Sequence, residues 1–139
     1  MSELVIEVDG EPPFRWHAGQ HLAIHPHGGA PSHGGPLWYS IASAWDGQSP
    51  PRLALAIGPG TGAEVLAGTG PGAILPVTGP FGSFALPAAA GALLIGVGTG
   101  VAPLRAMVAE VINLGGDEPL LLVVGARTER DLLWHPEFS

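Results

Sequence analysis

The sequence of 139 residues contains no cysteine and no lysine. Without cysteine it can form no disulfide, no thiolate metal site and no iron–sulfur cluster of its own. Without lysine its basic charge comes from five arginines, set against twelve carboxylates for a net charge of −7. The arginines are Arg15, Arg52, Arg105, Arg127 and Arg130. Because they are scattered, they form no basic stripe for a phosphate backbone, and we expect no nucleic-acid partner.

Long hydrophobic runs are also missing. The longest apolar stretch, residues 88–97, is too short and too rich in glycine to cross a bilayer. The first residues, Met1-Ser-Glu-Leu-Val, lack the positive charges that begin a secretory signal peptide. We therefore expect no membrane association and a cytoplasmic protein. Only 12% of the residues are charged and 46% are hydrophobic, which excludes a disordered acidic tail and predicts a buried core.

The first half of the chain has the pattern of an antiparallel β protein. Short apolar segments lie between turn signals, which is typical of a small barrel or sandwich. The candidate strands are residues 4–8, 21–24, 37–43, 53–57, 74–77 and 84–86. A turn at Gly79-Pro80 separates the last two of them. The capping-box pattern Thr61-Gly-Ala-Glu64 predicts one short helix that ends by Gly68.

After Pro87 the pattern changes to that of an α/β fold. Residues 92–97 and 120–124 are continuous apolar runs, as in buried parallel strands. Between them a turn at residues 98–100 leads into a helical pattern with Pro103 in its first turn. This is one βαβ unit, and Thr128 begins the pattern of a further helix. Because a two-stranded parallel sheet is not a complete domain, we expect the second domain to be incomplete.

Three motifs are candidates for ligand binding. In Gly96-Val-Gly-Thr-Gly-Val-Ala-Pro103, glycines would let backbone N–H groups approach an anion at a helix N-terminus. Trp38-Tyr-Ser40 offers a flat ring and a hydroxyl to a planar ligand. Gly58-Pro-Gly-Thr-Gly-Ala-Glu64 again places glycines before a helix start. Taken singly, each motif has a plainer interpretation: a tight turn, an ordinary barrel strand, and a helix that caps itself.

In their order along the chain, these motifs together resemble the ferredoxin–NADP reductase superfamily. The series also includes Gly19-Gln20, Thr78-Gly-Pro-Phe-Gly-Ser-Phe84 and Gly125-Ala-Arg127. The resemblance implies a six-stranded antiparallel Greek-key barrel that binds flavin (residues 1–88). It implies that the first βαβ part of an α/β NAD(P)-binding domain with a parallel sheet follows (residues 89–139). The implied cofactor is FAD, with FMN as the alternative, and the implied substrate is NAD(P)H. Hydride would pass from the nicotinamide nucleotide to the flavin, and electrons would leave to a protein or small-molecule acceptor.

By position, the resemblance gives roles to individual residues. Tyr39 would lie against the flavin ring and Ser40 would hydrogen-bond its reactive edge, so these two are the predicted catalytic residues. Ser43 would help to hold the flavin chain. Further predicted flavin contacts are Ile41 and the phosphate-binding turn of Gly60, Thr61 and Gly62. The predicted nicotinamide-nucleotide contacts are Gly98, Thr99, Gly100, Pro103 and Arg127.

Three features depart from the family pattern. The usual motif is Arg-x-Tyr-Ser, whose arginine pairs with a flavin phosphate, but Leu37 stands at that position. Losing that charge-assisted bond should cost about 1.5–3 kcal/mol, and Arg52 is a candidate substitute. Glu64 puts a negative charge in the helix turn expected near phosphate, and the family's later nucleotide-binding strands are absent. An alternative therefore stays open: a non-catalytic reductase fragment that acts as an interaction module or as a subunit of a split enzyme.

Histidines are dense between residues 17 and 33, where they are candidate metal ligands. They are His17, His21, His25, His27 and His33. No carboxylate or cysteine stands near them in a recognisable ligand spacing. We therefore expect a solvated loop and no metal site.

Overall fold

The computed structural model describes residues 1–26, 34–87 and 91–138. The strands of the first part are β1 (Ser2–Glu7), β2 (His21–Ile24), β3 (Leu37–Ser40), β4 (Arg52–Ile57) and β5 (Val77–Phe81). β1 pairs with β4, and β2 lies between β3 and β5; all of these pairs are antiparallel. One further bridge, between Ile41 and Leu55, joins the two sheets. The end of β3 and the end of β4 are therefore neighbours.

Alternating apolar side chains on these strands form the first core. Leu22 and Ile24 of β2 are fully buried, two residues apart, as one face of a strand requires. Burying such a side chain completely stabilises the fold by about 1.5–3 kcal/mol. β4 is buried on both faces, because Leu53 and Leu55 face this core while Ala54 packs in a second cluster.

The predicted six-stranded barrel is only partly observed: within the described residues the first part has five strands in two sheets. Of the predicted strands at residues 74–77 and 84–86, only Val77 lies in a strand, and β5 runs straight through the predicted Gly79-Pro80 turn. The chain stays extended there because β5 is an edge strand, where proline costs no ladder hydrogen bond. Gly79, whose φ is +135°, lies in a β-bulge, because β5 has one residue more than β2 between the pairs His21–Phe81 and Ala23–Thr78.

Helix α1 (Thr61–Thr69) confirms the predicted short helix, which ends slightly later than predicted. Its cap is Gly60, at φ +136°, whereas Thr61 is already the first helical residue. The capping box is therefore wrong by one position, because the residue that caps the helix has no side chain. Glycine adopts this backbone conformation at little cost, which explains why the helix begins at this point.

The second part of the chain confirms the predicted βαβ unit. β6 (Ala92–Val97) leads through a 3₁₀ turn (Gly98–Gly100) into helix α2 (Val101–Asn113), and β7 (Leu120–Gly125) pairs in parallel with β6. The helix predicted to begin at Thr128 is wrong. Two 3₁₀ turns, Glu129–Asp131 and His135–Glu137, follow β7 instead.

Helix α2 covers one face of the parallel sheet and leaves the other bare. Leu94 of β6 packs with Leu104 and Met107 of α2 in a buried cluster. The alternate side chains point away from the helix and stay between 46% and 70% exposed. These are Leu93, Ile95, Val97, Leu121 and Val123. We name this surface the bare sheet face; in α/β proteins with parallel sheets, both faces are usually covered.

The two parts of the chain share a core of small side chains, which we call the alanine interface. Ala42, Ala54 and Ala56 of the antiparallel part pack against Val101 and Ala102 at the start of α2. Small side chains let the helix approach the sheet closely. The predicted domain boundary after residue 88 lies outside the described residues and stays a prediction.

The described residues contain no helix long and apolar enough to span a membrane. Among them, no group of three or more histidine, cysteine, aspartate or glutamate side chains is arranged to hold a metal ion. His25 bonds to the Thr78 hydroxyl at 2.9 Å, and the His21 ring packs near Trp38. His27 and His33 lie outside the described residues.

Candidate functional site

A cleft of about 390 Å³ opens where β3, β4 and β6 end. Its volume lies in the range of small-molecule pockets, about 300–1,000 Å³. Of the described residues that line it, none carries a charge. They are Trp38, Tyr39, Ser40, Ala56, Gly58, Pro59, Gly60, Gly62, Ala63, Thr99 and Ala102.

Two glycines allow the walls of this cleft to come together. A methyl group at Gly62 would lie 2.7 Å from the Tyr39 hydroxyl oxygen, and one at Gly58 would lie 3.2 Å from Thr99 Cγ2. The first turn of α1 is therefore close to the Tyr39 hydroxyl, and the turn after β4 is close to Thr99 in the turn after β6. A side chain at residue 62 would displace the ring from this position. Three segments that are distant in sequence thus meet around one space.

Tyr39 and Ser40 give the cleft its polar groups on the β3 side. The Tyr39 ring is partly buried against the first core, and this burial raises the pKa of its phenol above the ordinary value of 10.0. The hydroxyl is therefore protonated at neutral pH and stays a hydrogen-bond donor. The Ser40 hydroxyl can both donate and accept. These groups can orient a planar ligand, but neither is a general base at neutral pH.

The 3₁₀ turn after β6 brings Thr99 to the opposite side of the cleft. Gly98 has a left-handed backbone, at φ +57°, whereas Gly100 has an ordinary helical φ of −64°. Only Gly98 therefore requires glycine for its backbone conformation. A methyl group at Gly100 would meet no atom within 4 Å. Any constraint on residue 100 must come from something outside the described chain, such as a ligand.

A family model and a curated relative both match this chain, and they indicate the same family. The family model described as "Oxidoreductase NAD-binding domain" matches residues 94–139. The curated ferredoxin–NADP reductase B of Sorangium cellulosum is 40% identical over 106 residues, which are 73% of this chain and 43% of that protein. The chain belongs to the ferredoxin–NADP reductase superfamily. It spans less than half the length of this curated relative.

Solved structures of the superfamily have the same fold as this chain. A cytochrome P450 reductase from Amycolatopsis is 26% identical, with a TM-score of 0.76 over 98% of this chain and 41% of that one. A ferredoxin–NADP⁺ reductase from Plasmodium falciparum is 18% identical, with a TM-score of 0.74 over 98% of this chain and 56% of that one. At that identity, the second likeness concerns the fold alone.

Five residues that the superfamily resemblance singled out lie together on the cleft. They are Tyr39, Ser40, Gly60, Gly62 and Thr99. Thr61 is the first residue of α1, between two of them. These positions belong to β3, the start of α1 and the turn after β6, so the fold brings the three sequence motifs to one place.

Other predicted residues of this superfamily member lie away from the cleft wall. Ile41 is fully buried in the first core, and Pro103 is buried within α2. The Ser43 hydroxyl accepts a hydrogen bond from the Ala54 N–H at 3.0 Å. Arg127 is exposed just after β7. Gly98 and Gly100 flank Thr99 without lining the cleft.

Leu37 stands where the superfamily usually has an arginine, and its contacts are apolar. Leu37 is half-buried, and its Cδ2 would lie 3.5 Å from a methyl group at Gly62. Arg52 does not replace the missing charge, because it begins β4 and is about 13 Å along the strand from Ala56 of the cleft. Its Nε instead bonds to Glu7 at 3.2 Å. Glu64 is exposed and is not among the lining residues.

Sequence reasoning missed several residues that line the cleft. Gly58 and Pro59 stand in the third motif and could have been selected with Gly60. Trp38 is 57% exposed beside Tyr39, and an aromatic residue at the outer face of a strand was a usable signal. The alanines at 56, 63 and 102 carry no chemical signal, because they matter only through the space that they leave.

Proposed function

We propose that this chain forms the flavin-binding barrel and the first nucleotide-binding segment of an NAD(P)H-dependent flavin oxidoreductase. The barrel would comprise residues 1–88 and the nucleotide-binding segment residues 89–139. The observation that carries the proposal is the meeting of Tyr39-Ser40, the Gly60–Gly62 turn and Thr99 on one cleft. The 40% identity to a ferredoxin–NADP reductase supports the same function.

The cleft residues suit a flavin in two respects. A flat aromatic wall and neutral hydroxyls at Tyr39 and Ser40 match a planar ring with polar edges. Gly60, which precedes α1, leaves the helix N-terminus open to phosphate because it adds no side chain there. None of the described lining residues is charged, so the cleft suits the flavin ring better than the phosphates, and the affinity should be lower than in relatives with the arginine.

Bound FAD would supply the redox chemistry, by taking hydride from NAD(P)H and passing electrons to a protein or small-molecule acceptor. The role of this chain is to position the flavin ring and the nicotinamide and to exclude water from the cleft. Ser40 would hold a hydrogen bond to the ring edge, and Tyr39 would cover one ring face as a neutral phenol. The turn at residues 98–100 would bring the nicotinamide within reach, with Pro103 fixing the helix start and Arg127 near the outer part of the nucleotide. Ile41 and Ser43 would act from beneath, by fixing the strand that carries Tyr39 and Ser40.

The test is a titration of the purified chain with FAD and, separately, with FMN, followed by flavin fluorescence. Ser40→Ala should weaken binding about fivefold, since a hydrogen bond contributes roughly 1 kcal/mol. Ser83→Ala is the matched control, because Ser83 is exposed and does not line the cleft. Anaerobic addition of NADH or NADPH to the loaded protein should then bleach the flavin absorbance and reveal which nucleotide is preferred.

The alternative function is a non-catalytic interaction module or a subunit of a split enzyme. Leu37 and the lack of charge among the described lining residues favour it, since both weaken the binding of a phosphate-bearing cofactor. Flavin fluorescence that stays unchanged up to high micromolar FAD would reject the oxidoreductase function and support this alternative.

A further inference from the structure

Arg105 of α2 joins three separated parts of the chain. Its Nη1 donates to the carbonyl oxygen of Ala42 at 3.0 Å, across the alanine interface. Its Nε and Nη2 donate to the two carboxylate oxygens of Glu137 at 2.7 and 2.8 Å. Only 19% of the side chain is exposed. A guanidinium that is this buried needs such partners, because an unpaired buried charge is strongly destabilising.

The surroundings of Arg105 hold its guanidinium in one orientation. The two bonds to Glu137 form a fork, which fixes the plane of the group as well as its position. The guanidinium carbon lies 4.6 Å from the centre of the Trp134 ring, a cation–π distance, and Glu3 is a weaker partner at 3.8 Å. Since five N–H donors sit on a rigid plane, orienting the fork also orients the donor that reaches Ala42.

The residues that Arg105 connects stand close to the two sides of the cleft. Ala42 comes two residues after Ser40, and its own N–H is bonded to the Ala54 carbonyl at 2.7 Å. Arg105 itself comes six residues after Thr99, on the helix that this turn begins. The path from Ser40 to Thr99 through the Arg105–Ala42 bond is therefore short and made of backbone already fixed by secondary structure.

We propose that Arg105 is a positioning residue that sets the separation of Ser40 and Thr99, and that Glu137 orients it for this role. The alanine interface holds the two parts of the chain in contact but fixes their relative orientation only weakly, because methyl groups can slide past one another. The hydrogen bond from Arg105 to the Ala42 carbonyl oxygen fixes this relative orientation. The catalytic consequence rests on the proposed function: without Arg105 the nicotinamide and the flavin would each still bind, but they would meet in a poorer geometry.

The kinetic test compares Arg105→Met and Arg105→Lys with wild type in the full chain. Both variants should lower the rate of flavin reduction per bound flavin about tenfold or more, because a 1 Å misplacement can cost a hundredfold. The affinity for FAD and the KM for NAD(P)H should change by less than about threefold, which corresponds to about 0.65 kcal/mol. Lysine should not rescue the rate, because one ammonium cannot form the fork and reach Ala42 together. Arg52→Met is the matched control, since Arg52 pairs with one carboxylate at the surface and lies away from the cleft.

A second measurement needs neither flavin nor nucleotide. Because the chain has no cysteine, Val5→Cys on β1 and Ile112→Cys on α2 give a unique pair of exposed spin-label sites. The distance distribution between the labels should broaden in Arg105→Met and, to a lesser degree, in Glu137→Gln, and stay unchanged in Arg52→Met. The milder Glu137→Gln keeps the test open should Arg105→Met fail to fold.

The outcomes separate this inference from the proposed function. Absence of any flavin reduction in wild type would reject the proposed function, while the label distances would still decide whether Arg105 fixes the two parts. An unchanged distance distribution in the folded Arg105 and Glu137 variants would overturn the positioning role. The positioning role would also be overturned if a variant reduced its bound flavin at the normal rate and differed from wild type only in a lower melting temperature.

Discussion

The turn between β6 and α2 contains two glycines that should respond to alanine in opposite ways. Gly98→Ala forces a methyl-bearing residue into a left-handed backbone at φ +57°. Gly100→Ala places alanine in a helical backbone at φ −64°, where its methyl group meets no atom within 4 Å. The two substitutions add the same group to the same turn, so each is the control for the other.

The structure sets the expected magnitudes. The left-handed conformation costs a residue other than glycine about 1–2 kcal/mol, so Gly98→Ala should lower the melting temperature by about 3–6 °C. Gly100→Ala should stabilise by about 0.4–1 kcal/mol, because alanine has fewer unfolded conformations than glycine. If the turn carries the nicotinamide nucleotide, Gly100→Ala should nevertheless slow flavin reduction about tenfold or more, since its methyl group points into space that only a ligand would fill.

The assay is thermal unfolding of both variants together with anaerobic stopped-flow reduction by NAD(P)H. Flavin affinity should stay the same, because the predicted flavin contacts lie on β3 and at the start of α1. Equal reduction rates for wild type and Gly100→Ala, with flavin bound in both, would show that the turn is only a tight connection between strand and helix. Equal losses of stability in the two variants would refute the backbone argument itself.

Three further predictions concern other parts of the molecule. Tyr39 is the single tyrosine, so its ultraviolet titration can be read without interference, and its midpoint should lie above 10.0. Since folding favours its neutral form, stability should fall as the pH rises through 10.0 and above, and Tyr39→Phe should lack this loss; a midpoint below 10.0 would contradict it. Leu37→Arg should tighten FAD binding about tenfold or more by adding a charge-assisted bond beside the Gly60–Gly62 turn, whereas Leu37→Met should not. The bare sheet face should make the chain self-associate, and Leu93→Lys with Ile95→Lys should reduce this in sedimentation velocity; a wild type that stays monomeric at high concentration would oppose the idea.

The parts of the site that were predictable from sequence are those with a local chemical signal. Tyr39-Ser40 offers a ring beside a hydroxyl, and the Gly60–Gly62 and Gly98–Gly100 turns precede helices; the structure gathers these three segments on one cleft. The βαβ unit was predictable for the same reason, because continuous apolar runs on either side of a helical period leave few alternatives.

Other features depend on tertiary contacts that no local pattern encodes. Gly79-Pro80 has strong turn propensity, yet it lies inside β5, where the two residues form a bulge opposite Leu22 of β2. Arg105 stands in an ordinary helical position, and its partners Ala42 and Glu137 are 63 and 32 residues away. Only the folded chain shows that these residues are in contact.

Ala56 and Ala102 belong to the cleft wall and also to the alanine interface. Any molecule seated between them contacts both parts of the chain at once, so its binding and the closure of the interface are thermodynamically linked. A ligand that binds only the closed arrangement stabilises it by about 2.7 kcal/mol at a concentration about a hundred times its Kd. By the same linkage, a substitution far from every ligand atom lowers the apparent affinity for that ligand only when it opens the interface in a large fraction of the unliganded molecules. The affinity of the cleft for such a ligand thus depends on how stable the closed interface is.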